Sequence, residues 1–443
     1  MSSSASACCR PDWNIPFRRV GFISTRISGT DGVSLEIAKW TDVLERMGLE
    51  CYFIAGRCDR PAQRSVVIPE LDFQHPLILE ITRQAFQRDL RSRELSSKMH
   101  ELAWLIKERL YEAIGRLNLD LLIAENVLTI PMNLPLGAAL VELLIESGIP
   151  CVAHHHDFFW ERERFLFNAV EDYLHQAFPP PLAQIKHVVI NSVAAEEFCR
   201  RTGLSCHVVP NVLDFDNPPE EHDGYTRHLR ADLGLEPDDL LFLQPTRVVA
   251  RKGIEHSIEL VRRLDDPRAK LVITHSQDDE GEAYPRRVRD YARLLGVEVI
   301  FAADRISHRR QMTDEGHRQY SIWDAYAQAD LVTYPSTYEG FGNAFLEAVY
   351  YRKPIFCNRY TIYRTDIEPC GFQAIAMDGF LLEEVVQQVR HVLQDEEYRR
   401  RMVEHNYEVA QQHFSYRRLE QELTMILTGG LSRCQATCRC MCF

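Results

Sequence analysis

The stretch ADLVTYPSTYEGFGNAFLEAVYYRKPIFCNR, residues 329–359, decides the fold. Its opening, ADLVTYPS, is an apolar run stopped by Pro335 and Ser336, and it reads as a buried strand. NAFLEAVYYR has helix-forming composition, and KPIFCNR is a second apolar run. Strand, Gly-rich turn, helix and strand in that order describe a βαβ unit with parallel strands.

The same alternation extends outward in both directions. Ahead of the stretch lie the runs LLFLQPT, AKLVITHS and VEVIFAA, parted by helix-like segments such as GIEHSIELVRRLD and PRRVRDYARLLG. An earlier series holds RRVGFIST, ECYFIAG, DLLIAEN, IPCVAHHH and HVVINS, and its longest helical stretch spans residues 86–117. The polar stretch DFDNPPEEHDG joins the two series. No fixed-period repeat is present. The expectation is an α/β protein of two Rossmann-like domains, residues 17–213 and 214–405, facing a cleft at the carboxyl ends of their strands. A flexible extension (1–16), a closing helix (406–428) and a Cys-rich tail (429–443) complete the division.

A chain of 443 residues is too long for one ordinary core, in keeping with two domains. Its 51 basic and 64 acidic residues leave a formal charge of −13, which argues against a general nucleic-acid binder. No apolar run reaches the roughly 18 residues of a membrane span, and the N-terminus lacks the pattern of a secretory signal. A cytoplasmic protein without integral membrane association is expected. Cys51, Cys151, Cys199 and Cys357 lie in or beside apolar sequence and read as buried free thiols. Cys434, Cys438, Cys440 and Cys442 crowd the C-terminus, where a disordered tail is favoured over a metal site.

Four constellations carry chemistry. Glu339 and Glu347 flank a turn in which Gly340 and Gly342 allow close backbone approach, next to the unpaired amides of a helix start. An anion-binding turn with two carboxylates competes here with a pair of solvated glutamates. Arg247 and Lys252 precede a second helix start at Gly253, in the first strand-to-helix loop of the second domain. Two cations there would neutralise a departing diphosphate. The run CVAHHHDFFWERERF places three histidines at a strand end, but consecutive residues face alternately, so a shared metal is not expected. His156 beside Asp157 is the imidazole that could instead meet a sugar hydroxyl. Last, Gly29, Asp31 and Gly32 lie in a loop that is either a substrate contact or a plain strand-to-helix turn.

Together, the Glu339 to Glu347 spacing after YPS, the Arg247 to Lys252 spacing before Gly253, VPNVLDF at 209–215 and His156-Asp157 resemble the retaining glycosyltransferases of family 4. The likeness runs from about residue 18 to 427. It implies a GT-B fold, the acceptor mainly on the first domain and the sugar nucleotide on the second. Glu339 would contact hydroxyls of the transferred sugar and Glu347 the nucleotide ribose; Arg247 and Lys252 would grip the diphosphate. The backbone from Gly340 through Phe341 and Gly342 to Asn343 would line the sugar and phosphate site. His156 would sit near the sugar's 6-hydroxyl. Asp304 and Arg305 fall where members of the family read the base.

On the acceptor side the resemblance points to Gly29, Asp31, Gly32, Asp157 and Arg162, with Arg26 and Arg164 as further cations. Arg162 and Arg164 could equally pair with Glu161 and Glu163. No metal or other cofactor is required; a sugar nucleotide is the co-substrate and a small molecule the acceptor. GTDGVSLE, HHHDFFWER and EGFGNAFLEAVYYRKPIF are together similar to the mannosylglucosylglycerate and mannosylglucosyl-phosphoglycerate synthase subgroup, which implies GDP-mannose and a glucosylated glycerate. UDP- or ADP-glucose transfer to a disaccharide or envelope glycan, and a GT-B phosphorylase or epimerase, are the alternatives.

Overall fold

A computed structural model of the chain describes residues 15–29, 31–219, 223–276, 281–307 and 309–429. The cysteines from Cys434 onward lie outside the described residues, as does most of the expected N-terminal extension.

Fifteen strands are described: β1 (Arg19–Ile27), β2 (Glu50–Cys58), β3 (Ser65–Val67), β4 (Leu121–Glu125), β5 (Cys151–His155), β6 (Ile185–Val189), β7 (Cys206–Val208), β8 (Leu240–Gln244), β9 (Ala269–Ile273), β10 (Val299–Phe301), β11 (Gln311–Met312), β12 (Arg318–Gln319), β13 (Leu331–Tyr334), β14 (Ile355–Asn358) and β15 (Ile375–Met377). They build a parallel sheet in the order β3-β2-β1-β4-β5-β6-β7, another in the order β10-β9-β8-β13-β14-β15, and a small hairpin of β11 with β12. Helices connect the strands. β4, β5 and β13 are buried along their whole length, as parallel strands covered on both faces must be.

In each large sheet the strand order reverses beside its first strand, between β1 and β4 and again between β8 and β13. A crevice at the carboxyl ends of the strands opens at such a reversal, and ligands of doubly wound folds bind there. The loops after β1, β4, β8 and β13 are therefore the ones that matter for function.

The chain divides into two compact units. The first runs to Val189 and takes in Glu197–Val209 and the residues from Leu419; the second comprises Ile190–Glu196 and Pro210–Arg418. The second unit thus begins before the polar stretch expected to join the domains. Phe215 is the reason: it is buried edge-on against Tyr350 and Tyr407, well inside the second core.

Two helices and one thiol differ from expectation. The long helix of the first unit starts at Arg93, not at residue 86, because the Ser92 hydroxyl caps it by accepting the Leu95 N–H. The closing helix is two helices, Glu396–His413 and Tyr416–Leu427, parted where the Leu213 N–H takes the Phe414 carbonyl. In the first unit, the Lys186 ammonium donates to the carbonyl of Ile426 near the end of that last helix. Cys51, Cys151 and Cys357 are buried as expected, but Cys199 is exposed. It sits one residue past the buried Phe198, a rotation that turns it to the polar face of its helix. No described helix is long and apolar enough to cross a membrane.

Candidate active site

In the second unit, the loops after β8 and β13 are stitched together. Thr337 donates both its N–H and its hydroxyl to the carbonyl of Arg251, at 2.8 and 3.1 Å. Gly253 adopts a left-handed φ of 58°, and a Cβ there would stand 2.6 Å from the Pro335 carbonyl oxygen, so only glycine lets the loops approach this closely.

The contact carries charge. The Lys252 ammonium donates to Oε1 of Glu339, while Arg251 Nη1 lies 3.2 Å from Oε2 of the same carboxylate. Arg247, on the same loop, is near enough for its charge to act on Lys252. Burial opposes ionisation of Glu339, but Lys252 and Arg251 outweigh it and hold the carboxyl below its ordinary range. Burial, with Arg251 and Arg247 nearby, lowers the affinity of Lys252 for its proton more than Glu339 raises it. Lys252 and Arg251 thus share one carboxylate, and Arg247 adds a further positive charge to the same loop.

The Gly-rich turn is built with equal constraint. Gly342 has φ of 121°, and a Cβ there would meet Tyr360 Oη at 2.0 Å. The Tyr360 hydroxyl instead donates to the Phe341 carbonyl at 3.0 Å. Asn191 Nδ2 holds the Gly340 carbonyl at 2.7 Å, and Asn211 Nδ2 holds Asn343 Oδ1 at the same distance. The helix Asn343–Tyr350 therefore begins with its carbonyls and side chains tied back, and its first amides have no side-chain cap. Glu347, one turn in, accepts from the Tyr326 hydroxyl at 2.7 Å.

Asp304 and Arg305 follow β10, two strands away from β8. Their contacts run elsewhere: the Asp304 carbonyl accepts from Gln319 Nε2 at 2.9 Å, and Arg305 acts on Asp232.

In the first unit, Asp31 caps the helix Gly32–Arg46, accepting from the Ser34 N–H and hydroxyl, and pairs with Arg26 at 3.3 Å. The Gly29 N–H donates to Asp59 Oδ2 at 2.9 Å. Added Cβ atoms at Gly29 and Gly32 would meet nothing within 4 Å, so only the positive φ of Gly29 calls for glycine. Arg162 pairs with Asp157, Nε to Oδ2 at 2.7 Å, rather than with Glu161 or Glu163. Arg164 lies over the ring of Phe165.

The histidine run alternates as a strand must, and the alternation sorts it into two clusters. His155 turns to one face, with Nε2 2.9 Å from His187 Nδ1. His154 and His156 turn to the other, their rings 4.4 Å apart, and meet Glu125 at the end of β4. Two histidines and an acid from the neighbouring strand thus converge where three histidines cannot. Their ligand-type atoms lie within 4.8 Å of one another, a grouping that could hold a metal ion. Each oxygen of Glu125 has an imidazole nitrogen at hydrogen-bond distance, while His154 Nε2 is buried without a hydrogen-bond partner. Glu125, Arg251, Tyr326 and Tyr360 escaped the motif analysis. The one signal for Glu125 was an acid closing the buried run DLLIAEN, and for Arg251 its place beside Lys252.

Comparison with known proteins agrees with this layout. Residues 226–409, within the second unit, match the family described as glycosyl transferases group 1. The mannosylglucosylglycerate synthase of Thermotoga maritima is 31% identical, with 92% of this chain and 99% of that protein aligned. The enzyme of the same name from Petrotoga mobilis is 34% identical over 81% of this chain and 86% of its own. Among solved structures, a glycosyltransferase from Rickettsia africae superposes with a TM-score of 0.65 at 12% identity, covering 94% of this chain and 99% of that one. HepE from Anabaena, solved with UDP and glucose, gives 0.60 at 15% identity, covering 93% and 99%. These structural likenesses establish the GT-B fold. With its family match, its relatives and the paired loops of its second unit in agreement, the chain belongs to the group 1 glycosyltransferases, alongside the mannosylglucosylglycerate synthases.

Proposed function

We propose that this glycosyltransferase moves a mannosyl group from GDP-mannose to a hydroxyl of glucosylglycerate or its phosphate, with retention at the anomeric carbon. The observation that carries the reading is Glu339 paired with Lys252 and Arg251, with Arg247 on the same loop, at the strand reversal of the second sheet. The activity for which both relatives are named supports the acceptor.

As the glycosyl bond breaks, negative charge gathers on the β-phosphate. Arg247 and Lys252 take that charge, and each well-placed contact of this kind lowers the barrier by roughly 3 kcal/mol. Glu339, held by Arg251 and Lys252, presents its carboxylate to the sugar hydroxyls, and Glu347 takes the ribose. His156 meets the 6-hydroxyl of the transferred hexose. The acceptor hydroxyl enters on the face that the diphosphate leaves and hands its proton to the departing phosphate. No protein nucleophile and no metal enters this route.

The test is an assay of the purified protein with GDP-mannose, UDP-glucose and ADP-glucose, each with and without glucosylglycerate, followed by NMR of the product. An α-linked mannosyl product formed only with acceptor is expected. Preferential use of a glucosyl donor, a phosphate requirement, or turnover without acceptor would overturn the assignment.

A further inference from the structure

Behind His156 lies a carboxylate that no motif singles out. Glu125 ends β4, where the sheet register sets it directly beside His154 of β5. The side chain is fully buried. Oε1 is 2.9 Å from His154 Nδ1, and Oε2 is 3.0 Å from His156 Nε2. A carboxylate removed from water needs a positive partner. The cations in the vicinity are committed: Lys39 to Glu36 at 2.6 Å, and Arg162 to Asp157. The partners left to Glu125 are the two imidazoles.

The imidazoles are not equivalent. His154 is 1% exposed and stacked on Trp40 with ring centroids 4.3 Å apart, which locks it in the interior. His156 is the outer ring, and β4 holds it twice. Its N–H donates to Asn126 Oδ1 at 3.1 Å, and its Nε2 reaches Glu125. Asn126 Nδ2 also donates to Asp157, so the two strand ends form one clamp.

We propose that Glu125 is a positioning residue that fixes His156 as a two-sided hydrogen-bond donor, with Nε2–H bound to Glu125 and Nδ1–H left for a substrate hydroxyl. The assignment rests on the reading in which His156 meets the transferred hexose. It makes His156 a donor and not a general base, because an imidazole held protonated by a buried carboxylate has no free lone pair to accept a proton. The charged groups around His156 agree. Glu36 acts on it from the helix Gly32–Arg46 while paired with Lys39, Glu125 from β4, His154 from its own strand, and Asp157 from the loop beyond while paired with Arg162. Burial alone would favour the neutral ring, but Glu125, Glu36 and Asp157 together raise its proton affinity above the ordinary value.

The test uses the full-length protein labelled with 15N-histidine, with signals assigned through His156→Gln. Both ring nitrogens of His156 should carry protons at neutral pH, and Glu125→Gln should leave Nδ1 unprotonated. In turnover, Glu125→Gln should lower kcat on the order of tenfold to a hundredfold, the range of a hydrogen bond to a charged group, with donor KM nearly unchanged. With the 6-deoxy donor, wild type and variant should turn over alike, which a merely structural lesion would not produce. An unprotonated Nδ1 in the wild type, full kcat in the variant, or a stoichiometric metal ion in the purified protein would overturn the proposal. The nitrogen spectrum of the wild type decides the matter even if the variant does not fold. A wild type that transfers no hexose sinks the functional reading instead and leaves that spectrum standing.

Discussion

Lys252 and Glu339 form a buried ion pair, each side chain belonging to a residue only 8% exposed, across two loops that follow adjacent strands. Removing Lys252 leaves the buried Glu339 carboxylate with Arg251 alone, at a cost below the about 3–5 kcal/mol of a wholly unpaired buried charge. Lys252→Ala should therefore abolish transfer and also lower the urea midpoint. Lys252→Met combined with Glu339→Gln should recover most of the stability and none of the turnover. If the single variant proves as stable as the wild type, the two charges are not sharing a buried site.

Arg247 separates chemistry from folding more cleanly. It is only half-buried, and it acts on the Lys252 charge from the same loop. Arg247→Ala should lower kcat/KM about a hundredfold, the loss of one contact to a developing anion. Its melting temperature should stay close to that of the wild type. Unimpaired turnover would remove Arg247 from the leaving-group site.

The two variants also show what could be read from the chain. Long apolar runs such as RRVGFIST and LLFLQPT announced the central strands, because a strand buried on both faces must be apolar throughout. The three-residue strands β3, β7 and β15 were too short to give a pattern. That Arg247, Lys252 and Glu339 lie in the loops after β8 and β13 was legible, because glycines and turn residues mark those loops. That Lys252 and Glu339 bond to each other was not, since 87 residues separate them and strand order, not sequence order, makes them neighbours. Glu125 was hidden for the same reason. It meets His154 and His156 only through the pairing of β4 with β5.

The second histidine cluster predicts a pH dependence of stability. His155 and His187 are buried with their nitrogens 2.9 Å apart and Phe158 and Phe198 around them. Burial holds His187 down to about 4, and burial together with His187 depresses His155 well below its ordinary value. Unfolding lets both rings bind protons near pH 6.5, so their contribution is complete above that value and lost as pH falls toward 4. For His187 alone the loss comes to ~3 kcal/mol. Calorimetry from neutral pH down to about 4.5 should show the wild-type midpoint falling relative to that of His187→Asn, a difference that cancels the opposing titrations of Glu161 and His156 common to both proteins. Glu125, pulled to about 2, enters only at lower pH and does not confuse the test.

Tyr326 offers a last test of how the donor is held. Its side chain is fully buried in the second core, stacked with Tyr351 at a centroid distance of 5.7 Å, and its hydroxyl donates to Glu347 Oε2. The rotamer of Glu347 is thus set in part by the buried ring beneath it. Tyr326→Phe keeps the stacked ring and deletes the hydroxyl, with its bond to Glu347 and its longer 3.5 Å contact to the Ala344 carbonyl. In its proposed role Glu347 holds the ribose, and that contact would weaken once the carboxylate is free to turn, by about 1 kcal/mol for one such bond. Donor KM should therefore rise about fivefold with kcat unchanged, because the ribose is bound alike before and during transfer. Should kcat fall while KM holds, Glu347 takes part in the reacting centre and does not serve as a ribose anchor.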